Sequence, residues 1–181
     1  DDQELGAVHG CKHSGKGSCH VQDAGLHHQL RCMLDWLIAI EAWPQRHTTM
    51  NAVFERISTS FHAQGLMQTL GASLLSVQPG EVQIALPYQK ALSQQHGFLH
   101  AGAVSSVVDS AAGYAALTVA AEGYEVVTAE FKINLMRPAI GERFVAIGKV
   151  VNAGKLLTVC SGEVLAYGAD AAVPPKVVAL L

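Results

Sequence analysis

Residues 102–121 read GAVSSVVDSAAGYAALTVAA, and this stretch decides the fold. Its apolar residues recur at the spacing of one helical face, at positions 104, 107, 108, 111, 115 and 119. This spacing predicts a long helix with a buried stripe. Most other positions are Ala, Ser or Gly, whose small side chains let a helix approach a sheet closely. We therefore expect a central helix held inside a concave sheet.

The segments around this helix predict the sheet. Upstream, a cap at Asn51 and the apolar spacing that follows predict an amphipathic helix to about His62. Short apolar runs separated by turn signals such as Pro79-Gly80 predict strands. These runs are 70–77, 82–86, 126–136, 143–152, 155–167 and 177–181, the last expected to close an edge. The order predicts an α+β domain with an antiparallel sheet around the helix.

Residues 1–49 differ in composition from residues 50–181. They hold six of the nine His, three of the four Cys and both Trp. We expect a poorly ordered or non-native extension here, with Met50 as a natural start. The Cys and His residues resemble zinc ligands, but they include no Cys-x2-Cys pair, so we expect no metal site. The expected catalytic domain is residues 50–181.

Composition narrows the classes of protein. Only 15% of the residues are charged, the net charge is −3, and no basic run could grip a nucleic acid. The longest apolar runs fall short of the roughly 20 residues that span a bilayer. Three cysteines crowd at one end and Cys160 stands alone, which argues against a disulfide framework. Without a recognisable secretion signal, we expect a cytoplasmic protein that binds neither nucleic acid nor membrane.

Two stretches carry a family resemblance. Residues 96–117, HGFLHAGAVSSVVDSAAGYAAL, resemble the signature of the PaaI-type acyl-CoA thioesterases, which place His-Gly-Gly at a helix start and an acidic residue nine positions after the His. Here His100, Gly102 and Asp109 match, and Ala101 stands where Gly is common. Residues 128–142, TAEFKINLMRPAIGE, resemble the following strand of that family. Over about 50–181, the resemblance implies the hotdog fold and hydrolysis of acyl-CoA without a cofactor.

The chemistry of thioester hydrolysis suggests roles for the matching residues. A helix start has unpaired N–H groups, so the amides of Ala101 and Gly102 are candidates to stabilise an oxyanion. Burying a carboxylate in an apolar helix costs free energy unless the carboxylate is paired or hydrogen-bonded. Asp109 also matches the acidic residue of the family signature, which makes it the candidate nucleophile or general base. Its alternative is a solvated helix face or a structural bond. We expect His100 to orient the loop or the substrate.

Further roles follow from the resemblance. It implies that Gln94 binds the thioester carbonyl or the water, and that Thr128 orients the attacking water. Phosphates of coenzyme A need cations, and the candidates are Lys90, Lys132, Arg137 and Arg143. The candidate walls of the acyl pocket are Phe98, Leu99 and Tyr114, although core packing explains each equally well.

Helix geometry predicts the assembly. Asp109 follows Ala101 by eight residues, which is about 12 Å along a helix, too far for one thioester carbon to reach both. Two helices packed antiparallel about a two-fold axis would bring Asp109 of one chain to Ala101 of the other. We therefore expect a homodimer or a tetramer of such dimers, in which Gln94, His100 and Ala101 face Asp109 and Thr128 of the partner.

Three other functions compete with the enzyme. A non-catalytic acyl-CoA-binding protein would keep the pocket and lose the carboxylate, so the presence of Asp109 argues against it. A hotdog hydratase or dehydratase would carry Asp-x4-His, which occurs only from Asp23 to His28, outside the expected domain. A metal-binding module would have to be built from the N-terminal Cys and His residues.

Overall fold

The computed structural model describes residues 50–181, so the predictions for residues 1–49 lie outside the described part of the chain. The helices are α1 (Met50–Ala63), α2 (Gly65–Leu70) and α3 (Ala101–Val119). A short 3-10 turn covers Lys90–Leu92. The strands are β1 (Ser73–Gln78), β2 (Glu81–Pro87), β3 (Asn134–Leu135), β4 (Arg143–Ala153), β5 (Thr158–Tyr167) and β6 (Lys176–Leu180).

The strands form one antiparallel sheet in the order β1-β2-β4-β5-β6-β3. The hairpin between β1 and β2 turns at Gly80, whose φ of 77° is a conformation that glycine adopts without strain. Helix α3 packs against β2, β4 and β5. The sheet thus wraps the long helix, and the predicted hotdog fold is confirmed.

Small residues let α3 lie directly on the sheet. A Cβ atom at Gly148 of β4 would collide with the backbone of Ala111, so only glycine permits this approach. The helix buries its apolar face, including Val104, Val107 and Val108, among strand residues such as Ile84. The close contact predicted from the Ala, Ser and Gly content of residues 102–121 is confirmed.

Three strand predictions differ from the structure. Only Asn134–Leu135 of the predicted strand 126–136 pairs with β6; residues 126–132 are exposed and have no neighbouring strand among the described residues to satisfy their backbone groups. Leu70, predicted to start a strand, instead ends α2, because Gly71 takes a left-handed φ of 65° and caps that helix. The run 177–181 was expected at an edge, but β6 lies between β5 and β3.

Within residues 50–181, no helix is long and apolar enough to cross a bilayer. The same part of the chain contains no group of three or more His, Cys, Asp or Glu side chains that could hold a metal ion.

Candidate active site

The loop before α3 ends in a side-chain cap. His100 has extended backbone angles, with φ −66° and ψ 139°, and its Nδ1 accepts the N–H of Gly102 at 2.8 Å. An accepting Nδ1 carries no proton, so this bond places the proton of a neutral ring on Nε2. The His100 carbonyl also accepts the N–H groups of Ala103 and Val104. His100 therefore fixes where the helix begins.

This cap divides the two amides that the sequence suggested for the oxyanion. The Gly102 N–H is occupied by His100. The Ala101 N–H, in contrast, has no acceptor among the described residues. Ala101 is the first residue of the helix and has helical backbone angles, which Ala adopts readily. Its amide therefore has the geometry of a helix start. One free N–H thus points out of the positive end of a 19-residue helix.

The carboxylate of Asp109 lies in the middle of α3 and is half-buried. Its Oδ1 accepts a hydrogen bond of 2.9 Å from Oγ1 of Thr128, an exposed residue of the segment that follows the helix. Oδ2 has no hydrogen-bond partner among residues 50–181. The hydroxyl fixes one oxygen of the carboxylate and leaves the other open.

Gln94 closes a tight turn in the loop between β2 and α3. The side-chain Oε1 of Gln94 accepts the backbone N–H of His96, and the backbone N–H of Gln94 donates to the Phe98 carbonyl at 2.8 Å. An isolated antiparallel β-bridge between Ser93 and Leu99 closes the same loop. The acceptor end of the Gln94 amide is therefore used by the turn, and its NH₂ group remains as a donor.

An open pocket of about 350 Å³ lies beside the first turns of α3. Its lining comes from α2, the loop and α3, and consists of Leu66, Leu70, Ala91, Leu92, Ser93, His100, Gly102, Ala103 and Ser106. Asp109 and Thr128 of the same chain do not line it. The structure thus brings Asp109 to Thr128 but not to the helix start.

The other predicted substrate contacts lie elsewhere. Leu99 and Tyr114 are 3% and 5% exposed and belong to the hydrophobic core, and Phe98 is half-buried outside the pocket lining. The Tyr114 hydroxyl is 3.4 Å from Ser60 Oγ of α1, and burial raises the pKa of this phenol. Core packing, the alternative considered for Leu99 and Tyr114, describes their surroundings.

The candidate cations are all on the surface. Lys90, Lys132, Arg137 and Arg143 are exposed. The Arg143 guanidinium lies 4.5 Å from the centre of the Tyr167 ring, a cation–π contact. The structure leaves the three others without a described contact that would fix them.

Sequence reasoning missed the residues of α2 that line the pocket. The six-residue run GLMQTL is too short to show a helical period, and it directly precedes a strand-like run. The available signal was Gly71, because a glycine after an apolar run is typical of a helix end.

Known proteins with similar sequences and structures identify the family. The model of the thioesterase superfamily matches residues 96–170, which contain His100, Asp109 and Thr128. A protein of Saccharolobus solfataricus named as an esterase is 31% identical over 101 residues, which cover 56% of this chain and 71% of that protein. The chain belongs to the thioesterase superfamily. Membership supports hydrolysis of thioesters as the type of reaction.

Similar solved structures support the assignment of this chain to the thioesterase superfamily. A thioesterase family protein from Silicibacter pomeroyi is 43% identical, with a TM-score of 0.67, over 71% of this chain and 92% of that one. The PaaI protein of the E. coli phenylacetic acid degradation operon matches 71% of this chain and 87% of its own with a TM-score of 0.61. At 20% identity the second likeness shows the shared hotdog fold alone.

Proposed function

We propose that this protein hydrolyses acyl-CoA thioesters to the free acid and coenzyme A, at sites shared by two copies of the chain. One observation carries the proposal: α3 presents an unpaired N–H at Ala101 and, eight residues later, a carboxylate oriented by Thr128. An oxyanion donor and an activating carboxylate are the two groups that this hydrolysis needs.

The Ala101 N–H is the proposed oxyanion donor. The thioester carbonyl oxygen accepts this N–H and gains negative charge as the tetrahedral intermediate forms. The positive end of the α3 dipole favours that charge. Because the Gly102 N–H is bound to His100, its contribution is to hold the loop and thereby the orientation of the neighbouring amide.

Asp109 is the proposed nucleophile or general base. As a base it takes a proton from water, the resulting hydroxide attacks the carbonyl carbon, and the C–S bond breaks to release the thiolate, which is then protonated. As a nucleophile its open Oδ2 attacks the carbonyl carbon, and the C–S bond breaks to release the thiolate, which is then protonated. Water then hydrolyses the mixed anhydride to the free acid and restores the Asp109 carboxylate. Thr128 holds Oδ1 in both routes.

Two copies of the chain complete each proposed site. Along α3 the distance from Ala101 to Asp109 is about 12 Å, and one thioester carbon would need to be near both groups. A two-fold axis between antiparallel α3 helices brings Asp109 and Thr128 of one chain to the Ala101 amide and the Gln94 NH₂ of the other. The proposed assembly is a homodimer, alone or within a tetramer.

The exposed surface beside Thr128 supports this assembly. Several large apolar side chains are exposed in the segment that leads from α3 into β3 and beyond, namely Tyr124, Val126, Val127, Phe131, Leu135, Met136 and Ile140. Val127 is 89% exposed and directly precedes Thr128. An apolar surface of this extent favours a protein contact, and a partner that covers it lies against the Asp109 carboxylate.

The remaining residues have supporting roles in the proposal. The exposed Lys90, Lys132, Arg137 and Arg143 are the candidates to neutralise the phosphates of coenzyme A. Residues 50–181 form the proposed catalytic domain, with residues 1–49 as an extension.

Thiol release tests the proposal. Purified protein is incubated with acyl-CoA esters of different acyl groups, and the free thiol of coenzyme A is measured with a chromogenic disulfide. We expect turnover of at least one acyl-CoA, and loss of it in Asp109→Asn. Tight binding of acyl-CoA without any thiol release would contradict the proposal and indicate a binding protein.

A further inference from the structure

The pocket beside α3 has no role in the chemistry proposed above, although His100 and Gly102, the neighbours of Ala101, both line it. Resting on that proposed hydrolysis, we propose that this pocket holds the acyl group and that Leu66 of α2 limits the length of the acyl group. The preferred substrates then carry compact apolar acyl groups.

The lining of the pocket suits an acyl chain better than the coenzyme. Its walls include Leu66, Leu70 and Leu92, and none of the nine lining residues is Lys, Arg, Asp or Glu. The coenzyme side of the substrate carries amides and phosphates, which need polar partners and cations. His100 and Gly102 flank Ala101 and also line the pocket. A carbonyl oxygen bound to the Ala101 amide therefore places its acyl carbons at the pocket entrance.

Leu66 lines the pocket but does not belong to the hydrophobic core. On α2, Met67 and Leu70 are 0% and 5% exposed and anchor the helix in the core, whereas Leu66 is 53% exposed and lines the pocket. An exposed leucine contributes little to folding, so its size can change without loss of the fold. The same side chain forms a wall of the pocket, where its size sets the available space.

The residues that α3 contributes to the pocket are small. Ala103 and Ser106 lie one turn apart on α3, and the Ser106 hydroxyl donates back to the Gly102 carbonyl at 2.8 Å. Ligand pockets of proteins span about 300 to 1,000 Å³, so this pocket of about 350 Å³ is among the small ones. We expect it to accept a phenylacyl group or a straight chain of medium length, with Leu66 taking the room that a longer chain would need.

Chain-length profiles test the role of Leu66. kcat/KM is measured for butanoyl-, octanoyl-, dodecanoyl- and phenylacetyl-CoA with the wild type and with Leu66→Ala and Leu66→Trp. The control is Leu75→Ala, since Leu75 of β1 is 48% exposed and does not line the pocket. Melting curves establish that all four proteins fold.

We expect the wild type to prefer octanoyl- or phenylacetyl-CoA over dodecanoyl-CoA. Leu66→Ala should raise the ratio of dodecanoyl to octanoyl activity by about tenfold or more, because methylene groups gain room in an apolar pocket. Leu66→Trp should lower the ratio of octanoyl to butanoyl activity by a similar factor. Leu75→Ala should keep both ratios at the wild-type value.

Three results would overturn the inference. Active Leu66 variants that keep the wild-type profile would place the acyl group elsewhere while leaving the proposed hydrolysis intact. A shift in Leu75→Ala as large as that in Leu66→Ala would show that the effect does not come from the pocket. A wild type that releases thiol from none of the four esters would refute the proposed function, and this inference with it.

Discussion

The hydroxyl of Thr128 donates to the carboxylate of Asp109 across 2.9 Å, and this bond joins the central helix to the exposed segment that follows it. The two residues are 19 positions apart. Because the bond engages only Oδ1, the carboxylate has one fixed oxygen and one open oxygen. In the mechanism proposed above, the open oxygen is the one that acts on water or on the thioester.

Asp109→Asn should lower kcat by at least about a hundredfold, because an amide is neither a base nor a nucleophile here. The change is nearly isosteric and the amide oxygen still accepts from Thr128, so the melting temperature should stay close to that of the wild type. Steady-state thiol release and thermal melting check both expectations. Near-normal turnover in a folded Asp109→Asn protein would remove Asp109 from the mechanism.

Thr128→Val should lower kcat by roughly ten- to a hundredfold, the usual effect of losing a hydrogen bond to a charged group. Thr128→Ser is the matched control, because it keeps the hydroxyl and should keep most of the activity. Thr128 is exposed, so both variants should fold; Thr128→Ser should keep the wild-type stability, and Thr128→Val should lose no more than about 1.5 to 3 kcal/mol of unfolding free energy. Equal activity of the Val and Ser variants would show that the hydroxyl is unimportant.

The stability of Tyr114 variants distinguishes a role in core packing from a role in substrate contact. Its ring is 5% exposed and lies 6.0 Å, centre to centre, from the Phe61 ring. Tyr114→Ala should therefore cost about 3 to 5 kcal/mol of unfolding free energy, whereas Tyr114→Phe should cost about 1 kcal/mol or less. Urea denaturation measures both. Full stability of Tyr114→Ala would contradict the core assignment.

The same residue predicts a pH effect. Burial raises the pKa of Tyr114 in the folded protein, so the unfolded chain ionises first, near its ordinary pKa of 10.0. Above that pH the unfolded state binds fewer protons, and stability falls as the pH rises toward the folded pKa. The wild type should lose more stability than Tyr114→Phe between about pH 9 and 11.

Much of the fold follows from local sequence signals. Apolar spacing in residues 102–121 predicted α3 to within two residues, because a long buried helical face has an unambiguous period. Pro79-Gly80 predicted the first hairpin, since Gly80 supplies the positive φ of the turn. Residues 126–133 resemble a strand in composition, but pairing depends on a neighbouring strand that local sequence does not specify.

Part of the candidate site also follows from the sequence, and part of it is visible only in the structure. His100, Ala101 and Asp109 follow from one motif, because a helix fixes their spacing. The use of the Gly102 amide by the His100 ring depends on a side-chain rotamer and was not predictable from residue types. The pocket joins α2 to α3 across more than thirty positions, from Leu66 to Ala103, so only the tertiary structure shows it.

Residues 1–49 should be dispensable for activity. A protein that begins at Met50 retains α1, the sheet and α3, and we expect its turnover and melting temperature to match those of the full chain. Purification of both forms and comparison of thiol release under identical conditions check this. Failure of the shorter protein to fold, or loss of most of its activity, would show that residues 1–49 belong to the functional unit.

Subunit complementation tests the shared site most directly. One parent is Asp109→Asn; the other is Ala101→Pro, which removes the free N–H at a helix position where proline fits, following a residue with an extended ψ of 139°. Ala101→Ser keeps the N–H and serves as the active control.

Both inactive parents are mixed, and subunit exchange is established by recovering tagged mixed dimers. Random pairing makes about half of the dimers mixed, and each mixed dimer holds one intact site of two if the site is shared. Activity should then return to roughly a quarter of the wild-type value. A mixture that remains as inactive as its parents despite proven exchange would show that each site belongs to a single chain.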